Sequence, residues 1–146
     1  MAYEYKVTRR VEFSDTDMDG IMHYSNYFLF METVENAFFR SLGLRIINSG
    51  DPPVSWPRVH AECDYKRPLC FEDEVEIHLL VSAKNAKALS YIFIFRKLNA
   101  SPPEEVARGA ITAVCVTESP DGRMTSCAIP KFVADKIQAA PVELLK

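Results

Sequence analysis

Phe13-Ser-Asp-Thr-Asp-Met-Asp-Gly-Ile-Met-His-Tyr-Ser-Asn-Tyr27 is a polar, acid-rich stretch set between two segments of different hydrophobic period. Before it, Tyr5, Val7, Val11 and Phe13 alternate with Glu4, Lys6, Thr8, Arg10 and Glu12, and only Arg9 breaks the period of two. That alternation predicts a half-buried strand over residues 4–13. After it, Tyr27, Met31, Val34, Phe38 and Leu42 recur at spacings of four and three, which predicts one long helix from about Tyr24 to Leu42. Ser25 stands where a helix cap belongs and Gly43 where a helix-ending glycine belongs. Phe28, Leu29, Phe30 and Phe39 spread the apolar surface beyond a single stripe, so the helix is expected to be central, with a sheet wrapped around it. Ser14 to His23 reads as the loop between strand and helix.

Downstream, the turn-rich Ser49-Gly-Asp-Pro-Pro53 precedes a second alternating run, with Val59, Ala61, Cys63 and Tyr65 on one side and Arg58, His60, Glu62, Asp64 and Lys66 on the other. Val75, Ile77, Leu79 and Val81 alternate with Glu74, Glu76 and His78 to give a third strand. His60 and His78 fall on the polar sides and are expected to be solvated. Residues 89–95 and 106–116 are apolar on both faces, as in central strands or strands at a subunit contact. Ser119-Pro-Asp-Gly122 is a turn, Pro130 opens a short helix over about 131–138, and the tail beyond it looks weakly ordered. One strand, one long helix and four strands on short connections predict an α+β fold, a five-stranded antiparallel sheet around the helix.

The bulk composition narrows the class of protein. A chain of 146 residues, 48% hydrophobic and 25% charged, has the makings of a single domain over 1–146, with a core over about 4–138. Its net charge is −3, from 17 basic and 20 acidic residues interspersed, so no nucleic-acid partner is expected. No apolar run reaches the roughly 18–20 residues that span a bilayer and no basic-then-apolar signal opens the chain, so a cytoplasmic protein is expected. Cys63, Cys70, Cys115 and Cys127 form no C-x-x-C pair; they read as buried thiols, with no metal and no cofactor implied.

Three readings fit Asp15-Thr-Asp17-Met-Asp19-Gly20. The carboxylates could accept hydrogen bonds from nearby amides in a polar turn. They could form the front of a calcium loop, but with Asp15 at position one, position twelve is Asn26, which lacks the closing bidentate carboxylate. They could serve catalysis. The quoted stretch resembles the signature F/Y-x-D-x-D-x-x-G-x-x-x-y/h-x-x-Y of the 4-hydroxybenzoyl-CoA thioesterase-like branch of the hot-dog superfamily, which also contains the Tol-Pal-associated thioesterases. The resemblance extends to Val59-His-Ala-Glu-Cys-Asp-Tyr-Lys-Arg-Pro68, with Phe71 and Asp73 beyond it.

The resemblance implies a hot-dog fold and hydrolysis of an acyl-CoA thioester. Asp17 matches the catalytic carboxylate, as nucleophile or general base. Tyr24 matches the position whose amide holds the oxyanion, and Gly20 lets the chain turn sharply beside the acyl group. His23, Tyr27, Phe28 and Met31 are candidates for the acyl pocket. Trp56 stands where the 4-hydroxybenzoyl enzyme has a threonine near the thioester; this departure argues against carrying that aromatic substrate across and makes the indole a candidate to shape or shorten the pocket. Lys66 and Arg67 are candidates for the CoA phosphates, as are Lys84, Lys87, Arg96 and Lys97. The expected assembly is a homodimer or a tetramer of two dimers, its site shared between subunits. The competing readings are a non-catalytic module that binds acyl-CoA or acyl-carrier protein, and a hot-dog hydratase, which needs a histidine–carboxylate pair placed differently.

Overall fold

The computed structural model describes residues 1–47 and 50–146. Strands β1 (Glu4–Arg10), β2 (Arg58–Tyr65), β3 (Glu74–Lys84), β4 (Ala88–Lys97) and β5 (Glu104–Val114) form one antiparallel sheet in the order β1-β3-β4-β5-β2. Helix α1 (Asn26–Ser41) packs on one face of it, which is the α+β architecture expected from the periods and the hot-dog fold implied by the resemblance. The two-residue period of β3, β4 and β5 places Val75, Ile77, Leu79, Leu89, Tyr91, Phe93 and Phe95 against Phe30, Met31, Val34 and Phe38 of the helix, all essentially buried. Each such side chain contributes about 1.5–3 kcal/mol of burial.

Both helix ends are defined by local chemistry. At the C-terminus Gly43 takes φ +73°, its amide donating to Arg40 O at 3.0 Å and that of Leu44 to Phe39 O at 2.9 Å. This is a Schellman ending, which needs a residue free to adopt positive φ. At the N-terminus Ser25 occupies the cap position without capping: its backbone is already helical and its hydroxyl pairs with His23 Nδ1 at 2.8 Å.

Several expectations are corrected. β1 stops at Arg10, and Phe13 is 76% exposed on a 3-10 turn, edge-on to Phe71 at 6.0 Å. The pairing with the β3 side runs one step further, the Val11 amide donating to Asp73 O at 2.8 Å, before the chain enters that turn. Arg9 sits on the inward side, its guanidinium 4.3 Å from the Phe30 ring centroid and bonded to Thr33 Oγ1 at 3.1 Å, a cation–π contact that makes the side tolerable. His78 is buried between Glu4 and Arg96, each 3.3 Å from a ring nitrogen, because flanking strands cover that face of β3. The tail is ordered: Ala140 is buried with Leu80 and Ile94, and residues 142–145 form a 3-10 turn whose Leu145 packs beside them. It covers part of the outer face of β3 and β4 that the two-sided apolar pattern had left open.

The helix expected over 131–138 is only α2 (Lys131–Ala134), with Pro130 as its cap. Beyond β5, the expected turn closes a hairpin of β6 (Val116–Glu118) and β7 (Met124–Ser126), too short to show a period. β2 pairs only with β5 and is exposed on nearly every residue, so its alternation does not translate into a buried side. Of the four thiols, Cys115 is buried but Cys70 is exposed. The connector expected over 49–53 is a turn from Gly50 onward, Ser49 lying outside the described residues. Among the described residues no helix is long and apolar enough to cross a membrane.

Gly109 sits between Cys63 of β2 and Phe93 of β4 in register, and a Cβ there would fall 2.1 Å from Met31 Cε. Gly109→Ala is therefore expected to cost about 1–3 kcal/mol through overpacking, read as a lower urea midpoint at unchanged slope.

Candidate active site

The acidic loop is held at both ends and turned by one glycine. The Asp17 amide donates to Ile21 O at 2.9 Å and the Gly20 amide to Asp17 O at 3.0 Å, with Gly20 at φ +81°. That positive φ is what glycine supplies here. Open space surrounds the position where a Gly20 side chain would start, so no close backbone packing constrains it. The returning limb is tied to the turn before β3: Met22 donates to Leu69 O at 2.7 Å and Ile21 bridges Cys70.

The three aspartates have separate environments. Asp15 is a structural acceptor: Oδ2 takes the Glu12 amide at 2.9 Å, and its carbonyl takes the His23 amide and Asn26 Nδ2, each at 2.8 Å. This is the polar-turn role, which Asp15 fills and Asp17 shares in part. Asp19 is exposed, its amide donating to Asp17 Oδ1 at 2.8 Å. Asp17 is half-buried and faces a cavity of about 390 Å³ lined also by Ile21, Met22, Tyr24, Tyr27, Tyr65, Lys66, Arg67 and Pro68. Among the described residues the Tyr24 amide donates no hydrogen bond, and it lies just ahead of α1, where the helix dipole favours negative charge.

The cavity thus brings together Asp17, Tyr24, Tyr27, Lys66 and Arg67 of the expected site. Tyr65 was placed only by alternation; its hydroxyl donates to Tyr24 O at 3.0 Å and its ring meets Tyr27 edge-on at 4.9 Å. Burial first, then neighbouring Cys63, push both Tyr27 and Tyr65 up to about 12, so both stay protonated at neutral pH. Lys66 and Arg67 stand at the rim, paired with Glu105 and Glu104. Ile21, Met22 and Pro68 line the wall without having been singled out; the signal available was their adjacency to Asp17 and to Lys66-Arg67.

The other expected residues lie outside that lining: Arg96 is paired with Glu76, Lys97 lies by Asp73, and Phe28 and Lys87 do not line it either. His23 stacks on Tyr24 with centroids 4.5 Å apart and is engaged by Ser25, outside the lining. Met31 is fully buried against β5. Lys84 donates to Ala134 O and Ile137 O, holding the C-terminal segment away from the Asp17 cavity. Trp56 is buried edge-on against Phe39 and lines a second cavity of about 370 Å³ with Glu32, Asn36, Ile46, Pro57 and Arg58. Beneath that cavity Glu35, 1% exposed, is ion-paired to Arg58, which also donates to Trp56 O. Burial holds the Glu35 carboxyl above the ordinary range, with Arg58 opposing. Among the described residues no cluster of three or more histidine, cysteine or acidic side chains is arranged to hold a metal.

A five-stranded sheet around one helix, with an acidic loop delivering a carboxylate to a cavity at the helix start, defines a hot-dog thioesterase domain. The chain belongs to the Thioesterase-like superfamily, whose family model matches residues 11–137. A protein of Aquifex aeolicus (strain VF5) is 34% identical over 131 residues, covering 89% of this chain and 94% of that one. A 1,4-dihydroxy-2-naphthoyl-CoA hydrolase of Picosynechococcus (strain ATCC 27264 / PCC 7002 / PR-6) is 26% identical over 145 residues, covering 97% and 95%. Among solved structures, a gentisyl-coenzyme A thioesterase superposes with a TM-score of 0.75 at 28% identity, covering 89% of this chain and 99% of its own. The 4-hydroxybenzoyl-CoA thioesterase of Pseudomonas sp. strain CBS-3 shares the fold, with a TM-score of 0.76 at 17% identity over 91% and 99%.

Asp73 fixes the turn on which the acidic loop hangs. Its Oδ2 accepts the Cys70 amide at 2.7 Å, Oδ1 accepts Asn99 Nδ2 at 2.9 Å, and Lys97 Nζ lies 3.5 Å away. Burial pushes this carboxyl up, but these donors together outweigh it and hold it below its usual value. Because the folded value is the lower one, the stabilisation is present above the unfolded carboxyl value and lost as pH falls through the folded one. Asp73→Asn should cost about 1–3 kcal/mol at pH 7. In urea titrations the gap to wild type should narrow below about pH 4, where the unfolded-state carboxyl protonates.

Proposed function

We propose that the chain hydrolyses an acyl-CoA thioester to the free acid and CoA, with Asp17 as the oxygen base. The observation that carries this is the pairing of a half-buried carboxylate, Asp17, with an unengaged amide, Tyr24, on one largely apolar cavity. Thioester hydrolysis needs both: an oxygen that attacks the carbonyl carbon or deprotonates the water that does, and a donor for the charge that gathers on the carbonyl oxygen. An amide so placed is worth about 100-fold to 1000-fold in rate when aimed at the oxyanion. Tyr65 supports the arrangement by holding the Tyr24 carbonyl, and Tyr27 supplies an apolar wall for the acyl group. Gly20 serves the chemistry by shaping the turn that presents Asp17. Lys66 and Arg67 meet the CoA phosphates at the rim by exchanging their glutamate partners for them. The names of the relatives, coenzyme A thioester hydrolases, agree with this reading.

The hydratase reading has no histidine on the cavity of Asp17 among the described residues. His23 is engaged by Ser25, His60 lies on exposed β2, and His78 is buried beside Glu4 on a different strand from the cavity. The non-catalytic reading is separated by turnover, since a binding module would be stabilised by acyl-CoA or acyl-carrier thioesters without releasing thiol.

The chain is further proposed to work as a homodimer or a pair of dimers. β2 is an edge strand of eight residues with Val59 64% and Tyr65 46% exposed. An open edge of that length invites pairing with a second copy, which would close the side of the site that one chain leaves open.

Asp17→Asn should lower thiol release at least about 100-fold across short, branched, long and aromatic acyl-CoAs while the far-UV spectrum stays unchanged. Full turnover by that variant would remove Asp17 from the mechanism. Sedimentation of the wild type at micromolar concentration should give a dimer or larger, and a monomer alone would exclude the shared site.

A further inference from the structure

The cysteines at 115 and 127 are the thiols that the proposed chemistry leaves unused and the fold brings together. β6 and β7 pair with Val116 opposite Ser126, Thr117 opposite Thr125 and Glu118 opposite Met124. One further step in that register sets Cys115 directly across from Cys127, and the Cys127 amide donates to Cys115 O at 3.0 Å. Their sulfurs are 3.6 Å apart. Directly opposed residues of an antiparallel pair have Cα atoms about 4.5–5.5 Å apart, inside the roughly 4.4–6.8 Å that a disulfide spans. Bonding therefore needs the sulfurs to close to about 2.05 Å by side-chain rotation, without moving a strand. Among the described residues no other pair of cysteine sulfurs is in contact.

We propose that Cys115 and Cys127 are a reversible disulfide site, oxidised by a small-molecule disulfide to staple the base of the β6–β7 hairpin.

The two thiols differ in access, which sets the order of events. Cys127 is partly exposed and lines an open cavity of about 320 Å³ with Val54, Thr117, Pro130 and Phe132. Cys115 is fully buried, and burial together with its neighbour Cys127 pushes its thiol up to about 12. Cys127 therefore reacts first: its sulfur gives up a proton and attacks the small disulfide, releasing one thiol and leaving a mixed disulfide. Cys115 then attacks the Cys127 sulfur, its proton leaving as the second small thiol departs. The balance is two protein thiols oxidised to one disulfide and one small disulfide reduced to two thiols. The closed loop carries Met124, which lines the cavity of Trp56 and Arg58, while Val116 bridges Ser55 next to Trp56. The staple thus fixes one wall of that second cavity and touches none of the groups around Asp17.

The test is to hold the full chain at neutral pH with oxidised glutathione, quench with acid, alkylate under denaturing conditions and map the peptides by mass. The expected result is a loss of about 2 Da per chain, a single Cys115–Cys127 cross-linked peptide, and reversal by dithiothreitol. Cys127→Ser should abolish the cross-link, whereas Cys63→Ser and Cys70→Ser should retain it. Amide hydrogen exchange across 116–126 should be slower in the oxidised wild type than in the reduced. Four alkylatable thiols after oxidation, glutathione remaining on Cys127, a link through any other cysteine, or equal exchange in the two states would each overturn the proposal. The wild-type map decides the matter if a serine variant fails to fold.

Discussion

The packing of α1 against one face of the sheet is the constraint on which the rest of the molecule depends. A helix with Phe30, Met31, Val34, Phe38 and Phe39 all at 1% exposure or less needs apolar cover around most of its circumference. An antiparallel sheet curved around it provides that cover with short connections between strands. Gly109 is part of the same solution: the missing side chain in β5 is the space that the tip of Met31 occupies. Arg9 is another, since an inward cation on β1 is accommodated by the face of Phe30.

The position of the acidic loop follows from that packing. The loop is fastened on one side to the start of α1, through Asp15 and Asn26, and on the other to the turn before β3, through Leu69 and Cys70. Asp73 sustains that turn with acceptor bonds to Cys70 and Asn99. Asp17 is therefore presented by two rigid elements, and the carboxylate and the Tyr24 amide keep their relation to each other without any side chain bridging them. The cost of gathering three aspartates in five residues is offset locally, because Asp15 and Asp17 each accept a backbone amide.

The Glu35–Arg58 pair shows a different use of charge. A carboxyl buried to this extent is expensive to ionise unless its partner stays close, and Arg58 reaches it from the start of β2 while also holding the Trp56 carbonyl. The pair ties the middle of α1 to the connector that carries Trp56, and α1 lines two separate cavities, with Tyr27 in one and Glu32 and Asn36 in the other. One opens beside Asp17 and the other beside Trp56. The alignment that set Trp56 near the thioester is thus not met within one chain.

By itself the sequence determined the types of the main elements, the central helix with its glycine ending, the inward face of β3, and the loop on which Asp17 lies, because each is written in local period or local turn chemistry. Only the tertiary structure decided which residues share a cavity. His78 is buried because neighbouring strands close over it, and Tyr65 joins the site because β2 lies beside the helix start. Cys115 meets Cys127 because a hairpin of two three-residue strands sets the register. These are contacts between residues distant in the chain or too brief to show a period, and their geometry is fixed by how the sheet curves around α1.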